Sequence, residues 1–402
     1  MKTSGYFLQI FFLVALMNTS CVNEKPMDQL IDETLSLSQN QLMNLYNDMQ
    51  CCPGKLPQTI DSVGNLVTSD DKWWTSGFFP GSLWYLYEYS KSDKVRLAAI
   101  DMTNRVANQQ YTTDNHDVGF MIYCSFGNAY RLTCEKSYEK IIVNAAKSLS
   151  TRFVPSTGCI RSWDSGKSNW QQIVIIDNMM NLELLTNATK ISGDSSFYKI
   201  AISHADTTMK YHFRPNASSY HVLDYDTIVG GAIKRVTKQG AFDESSWARG
   251  QGWALYGYSM MYNETKKTEY LNQAIKIANF IMSHPNLPED NIMYWDFDTP
   301  EIPNALRDAS AAAIIASAMV ELSTFVDGNL SKKYLSFAEK TIRSLASPAY
   351  LADLGSNGNF ILKHSVGYMG GNSEIDVPLT YADYYFIEAM IRYRELLIKK
   401  SH

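Results

Sequence analysis

Apolar residues return at helical spacing in twelve successive stretches of this 402-residue chain, and no run of alternating strands competes with them. In the first stretch, 27–49, the stripe consists of Leu30, Ile31, Leu35, Leu42, Leu45, Tyr46 and Met49. The same period marks 80–90, 95–110, 118–132, 138–149, 173–191 and 196–211, then 245–262, 268–283, 305–325, 332–345 and 381–398. Long polar loops rich in Gly, Pro, Asp and Asn separate several of them, notably 156–170, 214–244 and 286–304. The pattern predicts an all-α fold of stacked helical hairpins. A stack that closes into a toroid leaves no exposed apolar end, whereas an open one has to be capped. Loops gathered at one mouth of such a ring are where function is expected. No Pro-, Gly- or Ser-rich linker divides the chain, so residues 21–402 are expected to form one domain.

Residues 1–20 read as a processing segment. Lys2 supplies a positive start, an apolar run spans 6–17, and Asn18-Thr19-Ser20-Cys21 follows. The run is too short to span a membrane comfortably and fits a secretory signal. Export to the periplasm or cell surface is expected. A small residue before Cys21 resembles a bacterial lipoprotein cleavage site, which would attach the protein to the outer membrane through a lipidated Cys21. Ordinary signal cleavage is the alternative, and Asn18 departs from the stricter lipoprotein pattern. The other cysteines are Cys51, Cys52, Cys124, Cys134 and Cys159. They show neither CxxC nor zinc spacing and read as free thiols, although export leaves a structural disulfide open.

A formal net charge of −5 gives no basic footprint for nucleic acid. An anionic substrate would need a local cationic cluster to attract it. The 25 Tyr and 8 Trp suit sugar-stacking walls and a large core equally well.

Four segments carry residues that a helical core does not need. In 71–81, Trp73 and Trp74 lie among Gly and Thr, as a cleft wall or a helix-entry staple. In Asn115-His116-Asp117-Val118-Gly119-Phe120, Asp117 reads either as a helix N-cap or as a site acid. Asp177 interrupts the apolar run 173–182. Its burial there would be costly, and desolvation would raise its pKa toward that of a neutral-pH proton donor, the alternative again being a cap. The loop 214–244 and the helix start behind it hold His221, Asp224, Asp226, Lys234, Arg235, Gln239, Trp247, Arg249, Gln251 and Trp253. Arg249 there could hold a sugar carboxylate while a Trp stacks on the ring.

Together these motifs resemble glycoside hydrolase family 88, the unsaturated glucuronyl hydrolases. The likeness runs from Trp74-Thr75-x-Gly-Phe-Phe-Pro-Gly and His116-Asp117-x-Gly-Phe through Ile176-Asp177-Asn178-Met179-Met180-Asn181 and Tyr220-His221. It continues with Gln239-Gly240, Trp247-x-Arg249-Gly250-Gln251-Gly252-Trp253, and Asp376-Val377-Pro378 before Asp383-Tyr384-Tyr385. The resemblance implies a six-hairpin (α/α)6 toroid. It also implies release of a 4,5-unsaturated uronic acid from the non-reducing end of lyase-generated, glycosaminoglycan-type oligosaccharides. The chemistry it implies is hydration of the C4=C5 vinyl ether, without metal or organic cofactor. Asp177 matches the general acid/base, and Asp117 the second essential acid, which holds the ring and tunes Asp177. Trp74, His116, His221, Gln239, Arg249 and Trp253 match substrate-binding positions. Relatives that accept sulfated fragments share a Ser-rich, Lys-containing loop near the C-terminus. Here 363–374 contains Lys363 and Ser365 at a spacing that does not align, which leaves sulfate recognition open. The rival readings are an unsaturated rhamnogalacturonyl hydrolase acting on pectin fragments, a polysaccharide lyase, and a non-catalytic sugar-binding helical lipoprotein.

Overall fold

The computed structural model describes residues 24–401 except 165, 167 and 168, so the segment read as a signal and Cys21 lie outside the described residues. Twelve α-helices appear among the described residues. They are α1 Met27–Asp48, α2 Phe78–Ser90, α3 Asp93–Arg105, α4 Asn128–Thr133, α5 Lys136–Ser150 and α6 Leu182–Ser192, followed by α7 Ser195–Tyr211, α8 Ala248–Thr265, α9 Thr268–Ser283, α10 Ala309–Ser323, α11 Gly328–Leu345 and α12 Thr380–Ser401. A π-helical stretch, Gly119–Gly127, runs directly into α4, so the two act as one inner element.

The inner ring passes from α2 to the 119–133 element, then to α6, α8, α10 and α12, and α12 packs back on α2. Each inner helix has an outer partner: α3, α5, α7, α9, α11 and, for α12, the N-terminal α1. This is the closed six-hairpin toroid, and composition explains which helices go inside. Every residue of α8 from Ala248 to Met261 is buried, as is every residue of α10 from Ala309 to Val320. A helix with no polar face needs neighbours all round. The outer α11 buries only the stripe Tyr334, Phe337, Ala338, Thr341, Ile342 and Leu345 and turns its lysines outward.

Three expectations need correction. First, short antiparallel ribbons occupy the loops: β1 Leu56–Ile60 with β2 Leu66–Ser69, β3 Phe153–Val154 with β4 Cys159–Ile160, the sheet β5 Ile173–Ile175, β6 Val222–Tyr225 and β7 Ala232–Val236, and β8 Ser365–Tyr368 with β9 Ser373–Val377. Second, 173–191 is not one helix. The β-branched Ile173-Val174-Ile175 pairs with Val222–Asp224, and the chain then tightens into a 3₁₀ segment, Ile176–Asn181, before α6 starts. Third, 118–132 is largely π-helical. The five described cysteines are free.

The glycines of the first two motifs are explained by close approach. A Cβ on Gly77 would lie 2.2 Å from the Phe120 carbonyl oxygen and 2.3 Å from that of Met121, and neither backbone group can swing aside. Gly77→Ala is therefore expected to destabilise the protein by about 1–3 kcal/mol or more, read as a lower urea midpoint at unchanged slope.

Candidate active site

The buried strand β5 delivers Asp177 to the mouth of the ring. Asn178 and Asn181 fasten the 3₁₀ turn around it. Asn178 Nδ2 donates to the Ile160 carbonyl at 2.9 Å, and Asn181 Oδ1 accepts the Phe120 N–H at 2.9 Å. The second bond ties the turn bearing Asp177 to the π-helical stretch that begins just after Asp117. Gly119 lets the two segments touch, since a Cβ there would sit 2.6 Å from Asn181 Cα. The two acids are thereby brought to one cavity.

Neither acid is spent as a helix cap. Asp177 is 7% exposed, and its Oδ2 has no hydrogen-bond partner. Burial pushes its pKa up to about 7, the nearby Arg249 guanidinium opposes the rise, and the neighbouring Asp117 charge adds to it. The indole N–H of Trp253 also faces this carboxyl and opposes the rise without closing to a full hydrogen bond. Asp117 is likewise raised to about 7 by desolvation, with Arg152 opposing. Its side chain keeps more contact with solvent, at 20% exposure against 10% for Asp177. Two such acids at one site favour a state in which one keeps its proton, and the drier Asp177 is the better holder.

Both histidines are neutral. Burial lowers the His116 pKa to about 3, and its Nε2 lies 3.4 Å from Asp117 Oδ1. His221 is pushed well below its usual value, first by burial and then by Arg249 and Lys238. Its Nδ1 accepts the backbone N–H groups of Lys238 and Gln239, both at 3.1 Å, which leaves the proton on Nε2, 3.8 Å from Asp177 Oδ2. The ring leans on Trp247, with centroids 4.5 Å apart.

Arg249 is 1% exposed and already occupied on one side. Its two Nη groups donate to the Val366 and Gly367 carbonyls of β8, and Nη1 lies 3.5 Å from Asp308 Oδ2. Gln239 Nε2 also donates to the Gly367 carbonyl, at 3.0 Å. The β8–β9 hairpin is thus drawn over the cavity by two residues of the expected set. From behind, the buried Asp383 carboxylate accepts the Ile361 and Leu362 N–H groups, both at 2.9 Å.

The cavity has a volume of about 250 Å³, and six of the eight sequence-derived candidates line it: Trp74, His116, Asp117, Asp177, Gln239 and Arg249. His221 and Trp253 stand behind the lining. Trp253 is fully buried, 5.2 Å from Phe120 and 5.5 Å from Tyr385 between ring centroids. The candidate set omitted the lining residues Trp73, Trp163, Lys238, Tyr368, Ser373 and Glu374. Trp73 and Lys238 are the chain neighbours of Trp74 and Gln239, which was the available signal. Tyr368, Ser373 and Glu374 lie in or beside the stretch singled out near the C-terminus. Among the described residues no cluster of His, Cys, Asp and Glu is arranged to hold a metal ion. A half-dry acid titrating near neutrality, neutral imidazoles and an aromatic wall together suit proton donation to a sugar-sized ligand.

The profile of Glycosyl Hydrolase Family 88 matches residues 54–394. An unsaturated glucuronyl hydrolase of Formosa agariphila is 42% identical over 398 residues, covering 98% of this chain and 99% of its own. The crystal structure of an unsaturated glucuronyl hydrolase specific for heparin superposes with a TM-score of 0.89 at 47% identity, covering 93% of this chain and 98% of that one. A mutant of the Streptococcus agalactiae unsaturated glucuronyl hydrolase, complexed with dGlcA-GalNAc6S, superposes with a TM-score of 0.78 at 26% identity over 92% and 93% of the two chains.

The raised pKa of Asp177 makes it a stability liability at high pH. Its folded-state value of about 7 exceeds the ordinary 3.8, so folding favours the protonated acid. The penalty is absent below pH ~4, grows as pH rises through 7, and is full above that. Asp177→Asn is expected to be more stable than wild type at pH 8, by up to about 4 kcal/mol. The gap should close by pH ~4 in thermal melts taken across that range.

Proposed function

The chain belongs to glycoside hydrolase family 88 and is a glycoside hydrolase, and from that premise we propose how its own residues carry out the reaction. It releases a 4,5-unsaturated uronic acid from the non-reducing end of glycosaminoglycan-type oligosaccharides left by lyases. We assign Asp177 as the proton donor. It protonates C4 of the vinyl ether while positive charge develops at C5, which the ring oxygen shares. Water adds at C5 and gives its proton back to the Asp177 carboxylate. The C5 hemiketal opens by breaking its bond to the ring oxygen. The hemiacetal exposed at C1 then collapses and releases the remaining sugar.

The observation that carries this assignment is the buried Asp177 carboxyl, whose Oδ2 has no hydrogen-bond partner and whose pKa is pushed up to about 7 at the floor of the cavity. Asp117 remains the anionic partner, holding the ring hydroxyls with His116. His221, with Nε2–H turned toward Asp177, positions that carboxyl. Arg249 supplies positive charge for the substrate carboxylate, and Trp74 a wall for its ring. Trp253 supports Asp177 from below, and Gln239 steadies the hairpin across the mouth.

Asp177→Asn is expected to lower kcat by about a thousandfold or more, followed as the loss of conjugated-alkene ultraviolet absorbance, with an unchanged circular dichroism spectrum. An active, folded variant would sink the assignment. In the wild type, kcat/KM should fall as pH rises above about 7, because the donor then lacks its proton.

We also propose that residues 21–402 form one exported catalytic domain, anchored to the membrane through a lipidated Cys21. The support is the charge, apolar run and Ser20-Cys21 junction of the first 21 residues. Cys21→Ser should move the protein from the membrane fraction to the soluble one, and the intact-protein mass of the wild type should show the added acyl chains.

A further inference from the structure

Among the described residues two cationic side chains line the catalytic cavity, Arg249 and Lys238, and they differ in what they are free to do. The Arg249 guanidinium is committed to the Val366 and Gly367 carbonyls and stands beside Asp308. The Lys238 ammonium has no carboxylate partner among the described residues. It lies 4.7 Å above the Trp163 ring and 5.9 Å from that of Tyr368. Its backbone is nevertheless fixed, since its N–H is held by His221 Nδ1 at 3.1 Å.

Lys238 also stands where two hollows meet. A second cavity of about 340 Å³ shares Trp163, Lys238 and Tyr368 with the catalytic one. Its floor is the apolar face of the β5–β6–β7 sheet, Ile173, Val222 and Val236, against which Trp163 and Trp170 pack. Over the ring of Trp170, one of its lining residues, lies Lys234 Nζ at 5.0 Å. Strand alternation puts Lys234 and Val236 on one face, and Lys238 follows two residues on. The catalytic cavity already has Arg249 to meet the carboxylate of the unsaturated sugar; this second hollow offers flat apolar rings with the Lys238 and Lys234 ammonium groups beside them.

We propose that Lys238, between Trp163 and Tyr368, receives an anionic substituent on the sugars to the reducing side of the scissile bond, and that the second hollow seats those sugars. This rests on the reaction assigned above. Two sources of the anion are chemically equivalent, a sulfate ester on the adjacent sugar and the carboxylate of a uronate further along. The test compares kcat/KM for an unsulfated unsaturated disaccharide, its sulfated counterpart and an unsulfated tetrasaccharide. These are assayed with wild type, Lys238→Ala and Lys238→Arg. Wild type should prefer at least one of the two anion-bearing substrates. Lys238→Ala should cut that preference about tenfold, mainly through KM, and Lys238→Arg should restore most of it. The preference should also shrink as salt rises. Loss confined to the sulfated disaccharide identifies sulfate, and loss confined to the tetrasaccharide identifies the carboxylate. No wild-type preference, or a preference that Lys238→Ala leaves intact, overturns the proposal. A wild type that consumes none of the three substrates overturns the assigned reaction itself, an outcome distinct from either.

Discussion

The inner helices α8 and α10 have no polar side to show to water, and this dictates the ring. Ala248–Met261 and Ala309–Val320 are buried without interruption, so each helix must be walled in by inner neighbours and by its outer partner. Closure follows from the same demand at the chain's ends. α12 packs on α2, and α1 covers the outer side of α12, so that the first and last helices seal the ring between them. Small residues make the approach possible. The Ala-rich α10 fits between α8 and α12, and Gly77 admits two backbone carbonyls of the neighbouring element at distances no Cβ tolerates.

That enclosure also sets the protonation of a carboxyl group. Asp177 leaves a strand buried on both faces and enters a turn pinned by Asn178 and Asn181, so little water reaches it and its proton is held until near-neutral pH. The same desolvation keeps His116 and His221 uncharged. Neutral imidazoles beside these acids can orient them without forming ion pairs that would draw their pKa values back down. The cation that does act on Asp177, Arg249, is itself anchored to β8 carbonyls, so its field is fixed and its reach is short.

Much of this was legible from spacing. Ten of the twelve helical stripes appear as α-helices, 118–132 begins as a π-helix and 173–191 as a strand and a 3₁₀ turn, and the loop-rich interruptions carry the site. The ribbons were not legible, because strands of two to five residues leave no alternation to count. Ile173-Val174-Ile175 reads equally well as the start of an apolar helix until Val222–Asp224 is found beside it. The role of Trp253 was hidden for a similar reason. A tryptophan next to a polar motif suggests a stacking wall, yet its place on α8 puts it under the floor, between Phe120 and Tyr385. Lys238 was passed over because an exposed lysine in a loop is ordinary; its meaning comes from the rings of Trp163 and Tyr368, 75 and 130 residues away in the chain.

The sequence by itself determined the all-helical class, the cost of placing an acid at 177, and, through its motifs, the family and its reaction. Periodicity and burial cost are local properties, readable from a residue and its near neighbours. The tertiary structure alone decided that Asp117 and Asp177 share one cavity, that His221 carries its proton on the nitrogen facing Asp177, and that Arg249 is committed to the β8–β9 hairpin while Lys238 is not. Those facts depend on which distant backbone groups arrive at a side chain. Only the closing of the ring brings the 115–120, 173–181, 238–249 and 365–374 segments to one mouth.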